Sequence, residues 1–367
     1  MTTTHINSPQ QATTSPRWSS HACQGSNCIF HNLCILNGEY VYHAKDNQSA
    51  LDLVDFLERQ QGKSLHLIST IEENLPDPTV FLMKIRIELE QLDQHLELKL
   101  GNYTELRRYY SGNVGHTLGD DVFAIFRGVH SWGFDVVESN LKVFLDHLDA
   151  TEVFKVITRN EVVLRPKINL CYETFYAGWQ GLGFVALSAA EMETYDGRNQ
   201  KPEFSKRLGG ALQSFRNTAW RVLDIESSSP CITLVVKDLK HSEHPYYIDN
   251  MEDIFEAVSK AWSGCVQQVS WFGMPIKEQV TTMANSVAVL TLPGSDCMNA
   301  VFLPDNSRVV VPDRRAKGVW QGSNEYRNWF KHAYWLRFDS YRPFQDPLYE
   351  NKIHLNVTDT VNRLLGR

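Results

Sequence analysis

Unbroken apolar runs and helically spaced apolar residues alternate through the carboxy-terminal half of this chain. Lys206 to Leu223 carries Leu208, Leu212, Phe215, Ala219 and Leu223 on one side of a helix, and Cys231 to Val236 follows as a buried strand. Then come a helix over Asp253 to Trp262, a strand Val266 to Trp271, a helix carrying Gln279 and Met283, a strand Val287 to Leu292, a short helix near Asn299 and a strand Val309 to Val311. Such alternation predicts a doubly wound sheet. The turn Pro293-Gly294-Ser295-Asp296 ends the first strand of a βαβ unit at its carboxyl end, where open α/β sheets bind nucleotides and phosphates. A site is expected between Gly294 and Asn299.

The amino-terminal half is less regular. Residues 1 to about 20 are Thr, Ser, Gln, Asn and Pro with almost nothing apolar, which predicts a disordered tail, with structure beginning near Cys28. Cys28 to His43 holds two apolar runs around Asn37-Gly38, a hairpin signal. Leu51 to Arg59 reads as a helix and Ser64 to Ile71 as a strand, while Leu82 to Leu100 fits either rhythm. Val122, Phe123, Phe126 and Val129 give the stretch Gly119 to Gly133 one buried helical face. Leu141 to Ile157 reads as a helix or a helix and a strand, and Ile168 to Tyr172 as a buried strand. The glycine-rich loop Gly178 to Gly183 lacks the Lys-Ser/Thr ending of a phosphate loop. An interdomain boundary falls near Lys201-Pro202, and an aromatic-rich stretch from Trp320 to Phe344 fits sugar stacking or ordinary packing.

At 367 residues the chain exceeds what one core usually serves, so two domains are expected. A net charge of −7 and a pI near 6.0 supply no basic field, which argues against duplex DNA or an anionic membrane as the main partner and leaves small ligands. No run reaches transmembrane length and the amino terminus lacks the apolar core of a signal peptide, so a soluble protein is expected. The seven cysteines are dispersed and lack zinc spacing, so free or buried thiols and a cytoplasmic setting are expected. Three glycosylation sequons, at Asn47, Asn102 and Asn356, are about what chance gives.

Chemistry concentrates a second time in Gly112-Asn113-Val114-Gly115-His116-Thr117-Leu118-Gly119-Asp120-Asp121. On a helix, His116 and Asp120 stand four residues apart and face one way, so an imidazole and a carboxylate can share a cleft. The glycines at 112, 115 and 119 let backbone approach a ligand. Equally, Asp120 or Asp121 can cap a helix whose apolar positions begin at Val122. His241 and His244 read as a surface loop, and Asp249 to Asp253 as an acidic helix start.

Three segments, in order over roughly residues 28 to 312, resemble glycosyltransferase family 61, in particular its EGF-domain O-GlcNAc transferase and protein O-mannose β1,4-N-acetylglucosaminyltransferase branch. Cys28-Ile29-Phe30-His31-Asn32-Leu33-Cys34 resembles the family's Cys-x-Phe-x-Asn-Leu-Cys hairpin. Asn113-x-x-His116-x-x-x-Asp120 resembles its Asn-x-x-His-x-x-x-Asp motif. Glu278-Gln279 through Phe302-Leu303-Pro304-Asp305 resembles its block ending Phe-Leu-Pro. The chain departs from the family at Pro293, where His is usual, at Asp296, where Gly is usual, and at Lys237, where Arg is usual.

The resemblance implies an α/β protein of the GT-B type, two Rossmann-like doubly wound domains facing across a cleft. After the tail, residues 21–201 would form the acceptor-side domain, 202–345 would bind the nucleotide-sugar, and 346–367 would pack back on the amino-terminal domain. The implied reaction is an inverting transfer from a nucleotide-sugar, a UDP-sugar first, to a hydroxyl of a glycan or glycoprotein. No metal is obligatory, Mn2+ or Mg2+ being optional, and the lumen of the ER or Golgi becomes the alternative compartment. Asp120 would be the base or the carboxylate orienting His116, with Asp121 as second candidate. Lys237 would meet the phosphates with Arg314 and Arg315 in reserve, and Gly294, Ser295, Asp296 and Asn299 would contact the donor, with Asn113 nearby. Gln279 would bond the nucleotide or cap a neighbouring loop. The rival reading is an inactive GT-B-like module that binds glycans or a protein.

Overall fold

The structure, a computed structural model, describes residues 18–24, 27–37, 39–53, 85–88, 97–106, 114–145, 150–164, 169–177, 202–226, 230–240, 246–316, 319–321, 333–343 and 351–367. By contacts the chain forms two compact units, one of Met1–Glu73, Leu82–Asn102 and Pro166–Ala177, the other of Asn74–Phe81, Tyr103–Arg165 and Gly178–Arg367. The amino-terminal tail, the strand expected at 64–71, the loop 178–183 and the histidines 241 and 244 lie outside the described residues.

In chain order the first strands are β1 (Ser20–Gln24), β2 (Asn27–Leu36), β3 (Glu39–His43), β4 (Ile85–Glu88), β5 (Glu97–Leu106), β6 (Lys142–Leu145), β7 (Val163–Leu164) and β8 (Leu170–Ala177). The expected hairpin is present: β2 and β3 pair antiparallel about Asn37, whose φ of 52° suits the left-handed turn. Strand β2 is also paired antiparallel to β1 and to β8, whereas β3 and β4 run parallel. The first unit is therefore mixed rather than doubly wound.

Pairing in these ladders corrects the cysteine reading. Cys23 is bonded to Cys28, Cys34 to Cys171 and Cys231 to Cys265, leaving Cys297 as the free, buried thiol. Each bridge joins residues that face each other in register on neighbouring strands. Sequence separations of 5, 137 and 34 carry no trace of that, because register is settled by which side chains the sheet buries.

In the second unit, Tyr103–Leu106 of β5, β6 and β7 run parallel. In chain order there follow β9 (Cys231–Val235), the short β10 (Tyr247–Ile248), β11 (Cys265–Val269), β12 (Ser286–Leu290), β13 (Arg308–Pro312), the hairpin strands β14 (Arg314–Ala316) and β15 (Val319–Gln321), and β16 (Arg337–Tyr341), of which β9, β11, β12, β13 and β16 form the larger sheet. The order β11-β9-β12-β13-β16 is wholly parallel, as the apolar runs predicted. Helices Met251–Ala261 and Ile276–Ala284 supply the crossovers. Helix Val357–Leu365 buries Val361 and Leu364 in the cluster formed by Ile254, Val258, Leu290 and Val310, and β17 (Lys352–Ile353) pairs with β10. The terminal segment thus contributes to the core of this sheet.

Candidate active site at the carboxyl edge of the parallel sheet

Strand β9 sits inside the sheet, with β11 on one side and β12 on the other, so the chain reverses its direction of winding between β9 and β12. A crevice opens at such a reversal, outside the carboxyl ends of the strands. Lys237 follows β9 there, and Pro293-Gly294-Ser295 follows β12.

Two contacts fix the pair. The Lys237 Nζ lies 3.7 Å from the centroid of the Tyr246 ring, a cation–π distance, and the Tyr246 hydroxyl donates to the Pro293 carbonyl. Gly294 has φ 128° and ψ −165°, a conformation that glycine alone adopts readily, and a Cβ there would lie 2.8 Å from the Tyr246 Oη. Beyond it, Ser295–Met298 makes one helical turn and Asn299–Phe302 continues as 3-10 helix. Cys297 donates from Sγ to the Gly294 carbonyl at 3.0 Å, and burial pushes its thiol pKa far up, which makes it an inert packing group.

The other motif folds onto this turn. The helical run comprises Val114–His116, a π-helical Thr117–Val122 and Phe123–Ser131. Within it Phe123 and Phe126 lie 5.5 and 5.3 Å from Phe215 of helix Pro202–Val222, and Phe215 lies 5.9 Å from Phe302. This buried aromatic chain carries the run to the segment after β12. At the meeting point Gly115 is buried, and a Cβ on it would stand 2.9 Å from Ser295 Oγ and 3.0 Å from Ser295 Cα. Gly115 therefore admits protein backbone, where a ligand was expected. The Phe302–Asp305 end of the segment is clamped by Arg216, 5% exposed, which donates to Leu303 O at 3.1 Å and pairs with Asp305 Oδ1 at 2.6 Å.

Asp120 is partly exposed and Asp121 buried, both inside the helical run. Neither caps it, since the run begins at Val114 and the position before Phe123 is Val122, with no side-chain cap bond. The π-helical turn also alters the four-residue spacing from His116 to Asp120 that an α-helix would give; insertions of this kind are frequent at functional sites. The side chains of His116, Arg314 and Arg315 and the whole of Asn113 lie outside the described residues.

Gln279 and Asn299 are 7% and 3% exposed and bonded to each other, Asn299 Nδ2 donating to Gln279 Oε1 at 2.7 Å. Gln279 Nε2 donates to the Met274 carbonyl at 2.7 Å, which is the loop-capping arrangement among its two expected roles. Tyr246 and Trp271, whose indole donates to the Asp296 carbonyl at 3.1 Å, are the residues that sequence reasoning missed. Neither has a signal in the sequence beyond being aromatic next to a strand.

Asp296 carries the electrostatic tension of the site. Burial raises its pKa, and the charge of Lys237 opposes that rise. A raised folded-state pKa stabilises the protein at acid pH, below the unfolded value, and that contribution is lost as pH climbs through the folded value. Asp296→Asn is therefore expected to unfold at a higher temperature than the parent near pH 7, with the difference shrinking toward pH 4. A gap that stays constant across a melting series from pH 4 to 8 would refute this.

A separate concavity of about 490 Å3 is lined by Asn217, Trp220, Arg221, Asp224, Ile225 and Glu226 and contains none of the expected site residues. Two of its charged residues are paired with residues outside the lining, Arg221 with Asp135 and Asp224 with Arg159, each at 2.7 Å. Among the described residues no group of three or more His, Cys, Asp or Glu side chains could hold a metal ion, and no helix is long and apolar enough to cross a membrane.

With this geometry in place, comparison with known proteins adds a family. The model of the family described as Glycosyltransferase 61 matches residues 188–310. No curated protein sequence matches the chain significantly. Among solved structures, a match is the bacterial iron-containing dodecameric glycosyltransferase TibC from enterotoxigenic E. coli, at 12% identity and a TM-score of 0.29, covering 70% of this chain and 66% of that one. This chain thus spans just under two thirds of that protein, at a likeness too low to carry argument.

Proposed function

We propose that this chain, whose residues 188–310 match the model of glycosyltransferase family 61, moves a sugar from a nucleotide-sugar, a UDP-sugar first, to a hydroxyl of a glycan or glycoprotein acceptor with inversion at the anomeric carbon. One observation carries the reading: the run holding Asp120 closes on the Gly294–Asn299 turn beside Lys237, at the winding reversal of a parallel sheet. In the proposed mechanism Lys237 offsets negative charge on the leaving diphosphate, which shifts electron density from the anomeric carbon as the bond to nucleotide breaks. The carboxylate of Asp120 takes the acceptor's proton, or orients His116 to do so, and the acceptor oxygen attacks from the opposite face. Asp121, being buried, is the weaker candidate. A GT-B arrangement belongs to the same proposal, with the parallel sheet in 202–345 as the nucleotide-sugar side and 21–201 supplying acceptor-side groups. Three disulfides favour an oxidising compartment, the secretory lumen or the cell exterior, over the cytoplasm.

Pro293 and Asp296 in place of the family's usual residues support the second reading, an inactive binding module. Nucleotide release across a panel of UDP- and GDP-sugars, with and without Mn2+ or Mg2+, separates the two. Under the leading reading one donor turns over, and Asp120→Asn lowers turnover by at least about a hundredfold while donor affinity is kept. Full turnover in that variant would remove the catalytic assignment, and no turnover with any donor would favour the binding module.

A further inference from the structure

Trp271–Met274 leads from β11 into helix Ile276–Ala284 at the same carboxyl edge, and it is held from several directions. The Trp271 indole donates to the Asp296 carbonyl at 3.1 Å, and the Met274 amide donates to the Trp271 carbonyl at 3.1 Å. Gln279 Nε2 reaches the Met274 carbonyl at 2.7 Å and is itself braced by Asn299. Gly273, at φ 71°, makes the bend. Trp271 is 9% exposed, yet the next residue, Phe272, is 59% exposed.

Single exposed aromatic residues are common on protein surfaces and by themselves mean little. Phe272 differs in its mounting: the loop that displays it is fixed to the Gly294–Asn299 segment by the Trp271 indole and by the buried Gln279–Asn299 pair. We propose that Phe272 is the platform on which the base of the nucleotide stacks. The proposal rests on the reading above, that the diphosphate lies between Lys237 and the Gly294–Ser295 turn. A nucleotide-sugar carries its base and its sugar at opposite ends of the diphosphate. Strand β11 lies beside β9 and two places from β12, about 10 Å from β12 at ordinary strand spacing, so Phe272 stands off to one side of the reversal. A flat, apolar face offered on a fixed loop suits a base and tolerates any base, so Phe272 supplies affinity and leaves the choice of base to other groups.

Calorimetric titration of the full chain with UDP, GDP and inorganic pyrophosphate tests this. Phe272→Ala is expected to weaken both nucleotides about tenfold to a hundredfold and to leave pyrophosphate unchanged, while Phe272→Trp keeps nucleotide affinity. Nucleotide affinity unchanged in Phe272→Ala would overturn the platform and leave the diphosphate reading intact. An equal loss for pyrophosphate would overturn it as well, since the substitution would then be acting on the loop. A parent protein that binds none of the three would remove the diphosphate reading together with the platform.

Discussion

Gly115→Val is expected to abolish turnover while the protein still folds. The Cβ alone would press on Ser295 at 2.9 Å from Oγ and 3.0 Å from Cα. The hydroxyl can rotate away, but the Cα belongs to backbone whose path is set by Gly294 and by the Tyr246 bond to Pro293. Overpacking of this kind costs about 1–3 kcal/mol. Alanine would mask the effect, because replacing glycine in a helical turn returns about 0.5–1 kcal/mol. Valine keeps the clash, adds two carbons and has weak helix propensity, so the strain wins. Displacement of Ser295 by even a fraction of an ångström separates the Asp120 run from the turn, and positioning errors of that order cost catalysis far more than stability. Urea unfolding should show a loss of about 2 kcal/mol, and steady-state assays a loss of a hundredfold or more. Wild-type turnover in Gly115→Val would mean that the contact plays no part in the reaction.

Removal of the Cys34–Cys171 bridge is expected to be the most destabilising change to any of the disulfides. Chain-entropy arguments give about 5 kcal/mol for a loop of 137 residues, against about 4 for the 34-residue separation of Cys231–Cys265 and about 2 for the 5-residue separation of Cys23–Cys28. A typical domain is stable by about 5–15 kcal/mol, so the long bridge alone represents a large share. Cys34, Val41 and Cys171 also form a small buried cluster, so the pair replaced by alanine loses packing besides its tether. Melting of the three paired alanine variants in the absence of reductant should rank them in that order. A parent whose melting is indifferent to reductant would remove both the bridges and the case for an oxidising compartment.

What could be read in the sequence follows from how each feature is encoded. β9, β12 and β13 were legible because strands buried on both faces are written as continuous apolar runs, and helix Pro202–Val222 because one face repeats at helical spacing. The first unit was harder, since its strands belong to a mixed sheet and pair across long separations, such as β2 with β8. At the site, the small-residue turn and the Gly115–Asp121 run were both visible as local motifs. Their meeting was not, because it depends on Phe123, Phe126, Phe215 and Phe302 packing together over nearly two hundred positions. The same holds for Gln279, whose partners Met274 and Asn299 become apparent only once the crossover has folded.

The bond between Cys231 and Cys265 joins the first residues of β9 and β11, at the edge of the sheet opposite Lys237 and Phe272. These two strands are thus riveted at the floor and laced only by backbone bonds toward the rim. The covalent tie therefore resists separation of the two strands most strongly at the base, and least at the rim that carries Lys237 and Phe272.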